Sequence, residues 1–140
     1  MKYYTLSPEV AGELSDHTEM DTTVHPPVVT RLHYEFSDWL GDELVESFPA
    51  FLISTALGEH AVQAGLSGFA LADAERTVSD EAEELLDGET IPEFCWLNIT
   101  GRPAAEDFGQ TPQARLVVSE RALELLQQGS LNNCDIEDYE

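Results

Sequence analysis

An α+β fold is what this sequence predicts, as one domain over residues 1–140 with a mixed, largely antiparallel sheet and two or three helices. Three observations carry that expectation. Val28 to Phe36 alternates apolar and polar side chains with a period of two, the pattern of a half-buried strand. Two amphipathic segments each begin at a hydroxyl side chain able to cap a helix, one at Ser54 or Thr55 and one at Ser119. Strands and helices follow one another without the regular strand–helix–strand repeat of a parallel sheet.

Taken in order, Lys2 to Leu6 reads as a short first strand, and Asp16 to Pro27, with its Pro26-Pro27 pair, as a loop. In the second strand Val28, Thr30, Leu32, Tyr34 and Phe36 form the apolar face, leaving Arg31, His33 and Glu35 on a solvated one. Gly41-Asp42 signals a turn, so Leu44 to Phe48 is expected to return antiparallel to it, with Pro49 as an interruption. A helix follows to Ala64, burying Leu57, Ala61 and Ala64, and Gly65 suits a left-handed stop. Phe69 to Val78 reads as extended, and Ser79 can cap a short acidic helix from Asp80 to Leu86. Phe94 to Ile99 is apolar on both faces, as in a central strand, and Gly101 to Pro112 reads as loop. Leu116 to Val118 leads into a helix capped by Ser119, with Leu123 and Leu126 inward and Gly129 as its end. Cys134 to Tyr139 is expected to be a last edge strand.

Charge is the anomaly of the composition. The chain carries 28 Asp and Glu against 6 Lys and Arg, a formal net charge of −22. Such a surface repels phosphate backbones and anionic bilayers, which argues against direct binding of nucleic acid or membrane. No apolar run approaches the ~20 residues of a membrane span. Met1-Lys2-Tyr3-Tyr4 does not begin a secretory signal, so a cytoplasmic location is expected. There, Cys95 and Cys134 are expected to stay reduced, and the Asn98-Ile99-Thr100 sequon goes unused.

Motifs for chemistry are absent. His17, His25, His33 and His60 show neither H-x-H nor H-E-x-x-H spacing, and no third cysteine completes a zinc set. Nucleophile elbows, phosphate-cradling loops and dinucleotide fingerprints are missing too. The acidic run from Asp80 has Leu where a calcium loop needs Gly. No catalytic residue, metal or cofactor is therefore assigned. An alternative, a metal-dependent enzyme using His17, His25 and nearby acids, remains open at this stage.

The distribution of the acids says more. No Lys or Arg occurs from Leu32 through Glu75, nor in the run containing Asp80, Glu81, Glu83, Glu84, Asp87, Glu89 and Glu93. Unpaired like charge opposes the compact state. Three explanations compete: a solvated surface suited to a salt-rich cytoplasm, a binder of a basic protein, and a nucleic-acid mimic that occupies a DNA-binding protein.

The segment Leu116-Val117-Val118-Ser119-Glu120-Arg121-Ala122-Leu123-Glu124-Leu125-Leu126, followed by a linker and a terminal strand, is similar to the end of a group of bacterial immunity proteins. Those proteins neutralise polymorphic or contact-dependent toxins by direct binding. The resemblance covers about 25 residues and transfers no functional residue. It implies a non-catalytic inhibitor with a basic toxin domain as partner, a nuclease above all, since nucleases line their sites with Lys and Arg. On that reading Asp42, Glu43, Glu46, Asp80, Glu81, Glu83, Glu84, Asp87 and Glu89 form the interface rim, and Trp39 and Tyr34 are the candidate aromatic anchors. The oligomeric state is not legible.

Overall fold

The fold is that of a computed structural model describing residues 2–14, 18–24, 28–37, 41–48, 50–79 and 92–139. Its strands are β1 (Tyr3–Ser7), β2 (Gly12–Leu14), β3 (Glu19–Asp21), β4 (Val28–Arg31), β5 (His33–Phe36), β6 (Leu44–Ser47) and β7 (Ala50–Ser54). After helix α1 (Thr55–Gln63) come β8 (Phe69–Ala72), β9 (Glu75–Val78), β10 (Phe94–Ile99), β11 (Phe108–Gln110) and β12 (Leu116–Ser119). Helix α2 (Glu120–Gln128) and strand β13 (Asp135–Asp138) complete the described chain. The α+β class holds, but the strands are divided among small sheets. Sheet I runs β11-β12-β1-β13, sheet II runs β6-β7-β10-β8, sheet III runs β2-β5-β9, and β3 pairs with β4.

Sheet II is the middle layer. Every residue of β7 is buried, because the strand alternates between two cores. Phe51 and Ile53 join Leu6, Leu44, Leu97, Phe108, Leu116 and Val118 in a core that also takes Leu57, Ala122, Leu123 and Leu126 from the helices. Ala50 and Leu52 face the opposite way, onto Leu32, Tyr34, Phe36, Val45 and Phe94. Phe36 sits between Tyr34 and Phe94, with ring centroids 4.8 and 5.3 Å away in tilted contacts. The expected central position of β10 is confirmed, since it pairs with β7 on one side and β8 on the other.

Both described helices start as the sequence predicts. Ser54 Oγ accepts from the Leu57 amide at 3.2 Å, and Ser119 Oγ accepts from the Ala122 amide at 3.2 Å. Gly65 stands at φ +73° just beyond α1, the left-handed conformation that favours glycine at a helix end. Ala64, expected inside, is exposed at the end of the helix.

Other expectations are corrected. The apolar alternation of the second strand breaks at Leu32, where Leu32 and His33 are buried in succession and the strand divides into β4 and β5. His33 is therefore not on a solvated face. It is 7% exposed, and its Nε2 lies 3.2 Å from Thr77 Oγ1. Strand β6 does not return against β5; it pairs antiparallel with β7, which follows at once. Strand β5 pairs instead with β2 and, in parallel, with β9. The two stretches read as loops hold the short strands β3 and β11. The expected helix at Asp80 to Leu86 lies outside the described residues. No described helix is long and apolar enough to cross a membrane.

Candidate functional site

Of the residues expected at a partner interface, Trp39, Asp80, Glu81, Glu83, Glu84, Asp87 and Glu89 lie outside the described residues. Tyr34 is fully buried in the core and so is no anchor. Asp42, Glu43 and Glu46 are described: the side chains of Asp42 and Glu43 are bonded to other segments, and Glu46 is half-buried. Asp42 has no exposed surface. Its carboxylate accepts from the backbone amides of Asn132 at 3.0 Å and Asn133 at 2.9 Å, and from Asn133 Nδ2 at 3.0 Å. It cannot be a rim residue, because a rim acid must remain in water until a partner arrives. Glu43 accepts from Ser54 Oγ at 2.9 Å and from the Ser130 amide at 2.7 Å. Asp42 and Glu43 together fasten the start of β6 to the link between α2 and β13.

Glu43 belongs to a device that occurs twice. The Ser54 hydroxyl that caps α1 donates its proton to Glu43, while the Ser119 hydroxyl that caps α2 donates to Asp107 Oδ1 at 2.7 Å. Each cap serine is thereby aimed at its helix by a carboxylate from a distant segment. Asp107, 7% exposed, collects further donors. Arg121 reaches it with Nε at 2.9 Å and a terminal nitrogen at 2.7 Å, and the Ser67 amide donates at 2.9 Å. The Arg121 guanidinium foremost, then the Ser119 hydroxyl and Ser67 amide, hold the Asp107 carboxyl well below its usual range. The Ser119-Glu120-Arg121 motif thus supplies a helix cap and a clamp on the turn before β11. Nothing in its local spacing points to Asp107 as the partner.

Glu46 is half-buried beside a polar cluster in the interior. Its backbone N–H donates to Glu9 O at 2.9 Å, and its carbonyl accepts from the Tyr34 hydroxyl at 3.2 Å. Glu9 itself is 5% exposed and takes the Asp42 amide on Oε1 at 3.2 Å. Burial pushes the Glu46 carboxyl up to about 7, with Arg115 pulling the other way. Cys134 is pushed up to about 12 by burial and by the field of Asp42, which favours the thiol over the thiolate.

The Glu46 shift makes a signed prediction. The folded state holds this proton more tightly than the unfolded chain, whose value is 4.5, so stability falls as pH rises from there to about 7 and the loss is complete above. Glu46→Gln removes the buried charge. It should raise stability by about 1–2 kcal/mol at pH 8 and leave it nearly unchanged near pH 4.5. Thermal melts of both proteins at the two pH values check this, and a gain independent of pH overturns it.

Few cations remain to balance the acids. Arg121 is committed to Asp107, Arg31 pairs with Glu75, and Arg115 donates to Ser7 Oγ at 3.1 Å. The acids open to solvent include Glu13, Glu19, Asp73 and Glu93, together with three of the four residues of β13. The sequence marks this segment as an edge strand, and Asp135, Glu137 and Asp138 are its signal of a charged surface. Among the described residues no group of three or more His, Cys, Asp and Glu could hold a metal ion, and His17 and His25 lie outside them. With this geometry established, comparison with known protein families finds none that matches the chain, and comparison with curated proteins likewise finds no match.

Proposed function

We propose that the chain is a non-catalytic inhibitor of the immunity type, which binds and neutralises a cationic partner with a toxin nuclease domain as its target. The observation that carries this reading is the uncompensated charge. A net −22 is left on a chain whose few cations include three, Arg31, Arg115 and Arg121, that are already engaged within it. A surface of that kind steers a basic partner toward it and raises the rate of encounter. Nuclease domains present the matching charge, since they hold phosphates with Lys and Arg. The similarity of the β12–α2 segment to the end of immunity proteins points the same way. Asp42 is excluded from the interface by its burial, so the contacts fall to exposed acids.

The test is co-expression with a toxin nuclease domain, which this reading expects in a neighbouring gene. Growth should be restored, and a complex should survive gel filtration in low salt and weaken sharply by ~0.5 M salt, where screening reaches only a few Å. Unrelieved toxicity together with no complex at low salt overturns the reading.

A further inference from the structure

Among the described residues the outer edge of β13 carries no further strand. Within them strand β13 pairs with β1 alone, in the register Tyr4↔Asp138, Thr5↔Glu137, Leu6↔Ile136 and Ser7↔Asp135, and ends sheet I. All four of its residues are exposed. The Tyr139 N–H donates to Tyr3 O at 3.0 Å, so alternation turns the backbone of Glu137 and Asp135 toward β1 as well. The N–H and C=O groups of Ile136 and Asp138 are thereby directed outward, as the unpaired row of an edge strand.

The side chains define what can add there. Ile136 shares a face with Leu6, which is in the core, yet Ile136 is itself 38% exposed. The apolar layer of the sheet therefore runs one residue beyond its cover. Asp135 and Glu137 stand on the opposite face, and Asp138 lies on the Ile136 face. Opposite charges across a strand pair attract and like charges directly opposite repel. A second copy of β13 pairing here would set acids against acids, which closes the edge to self-association. A strand carrying cations is admitted.

We propose that β13 is a docking edge that takes an extended, basic segment of a partner as a fifth strand of sheet I, with an apolar residue of that segment covering Ile136 and its Lys or Arg side chains set against Asp135 and Glu137. This rests on the cationic-partner reading and specifies the partner's conformation. Backbone hydrogen bonds from the outward groups supply the pairing, and the charge pattern supplies the choice of partner.

The experiment uses the full chain and two synthetic peptides of alternating lysine and valine, identical in charge. One is unmodified, and the other is N-methylated at every second residue so that one edge cannot pair. At low salt the unmodified peptide should bind and slow amide exchange at Ile136 and Asp138 by at least about tenfold. The N-methylated peptide should bind about tenfold more weakly or worse, and Ile136→Pro, which removes an outward N–H while leaving the bonds to β1, should weaken the unmodified peptide by a similar factor. Equal binding of the two peptides, with exchange at Ile136 and Asp138 unchanged, overturns the docking edge and leaves attraction by charge alone. Binding of neither peptide at low salt overturns the edge and the cationic-partner reading together. Concentration-dependent protection of those amides in the free protein would make a second copy the occupant and also overturn the proposal.

Discussion

Replacing Asp107 by alanine is expected to destabilise the protein by about 3 kcal/mol, because buried groups that depended on the carboxylate lose their acceptor. The fully buried Ser119 hydroxyl is left without its acceptor, the Ser67 amide loses its bond, and Ser119 loses the partner that orients it as the cap of α2. Arg121 contributes less than its short bonds suggest. Its side chain is 56% exposed against 8% for Asp107, so water can replace the carboxylate at the guanidinium but not at the fully buried Ser119 hydroxyl. Arg121→Met should therefore cost clearly less than Asp107→Ala. Asp107→Asn should fall between, since an amide keeps one acceptor oxygen but turns an NH2 toward a donor. The pH dependence has a definite sign. With its folded-state value held below the ordinary one, Asp107 stabilises fully above about pH 4 and loses that contribution as pH falls through the lowered value. Urea unfolding at pH 7 and at pH 3 measures both effects. A loss under ~1 kcal/mol for Asp107→Ala at pH 7 would mean that the carboxylate does not hold α2 in place.

What could be read from the sequence follows the range of the interactions involved. The starts of α1 and α2 were legible because a cap is a local event, a hydroxyl three residues from the amide it accepts. Strand β10 was legible because an apolar run in a middle layer needs no partner to identify it. Pairing was not legible. Leu44 to Ser47 could have met either neighbouring strand, and the short reach to Ala50–Ser54 decided it, because closing a short loop costs less entropy than a long one. The parallel pairing of β5 with β9 joins His33 to Glu75 across a long stretch of chain and leaves no periodic trace. Strand β11 is three residues with Gly109 at its centre, too brief and too small to show an alternation. The acids exposed the same limit. Asp42 and Glu35 look alike in the sequence, yet one is fully enclosed by backbone donors from residues 132 and 133 and the other is only partly covered. Composition describes how many carboxylates there are, whereas the fold decides which of them face water.

Asp42→Ala is the substitution that separates these two roles most sharply. A rim acid contributes little to folding, and its loss slows association with a basic partner while leaving the melting temperature in place. A buried acid does the reverse. Asp42 accepts three hydrogen bonds from Asn132 and Asn133, with no exposed surface of its own, and its removal takes the acceptor from two backbone amides and leaves a gap at an enclosed position. The expected cost is about 3 kcal/mol, with the melting temperature lower by roughly 6–12 °C for a chain of this size. Neighbouring Glu43 gives an internal comparison. It is partly exposed, and the Ser130 amide it accepts lies at the surface, so Glu43→Gln should cost about 1 kcal/mol or less. Amide exchange locates the damage. In Asp42→Ala the Asn132 and Asn133 amides should exchange faster than in the wild type by more than the global loss of stability explains, since their bonds to the carboxylate are gone. At temperatures where the variant is folded, its association rate with a cationic peptide at low salt should stay close to wild type, because the charge removed was enclosed rather than presented. An unchanged melting temperature with slowed association would return Asp42 to the interface and remove the internal role assigned to it.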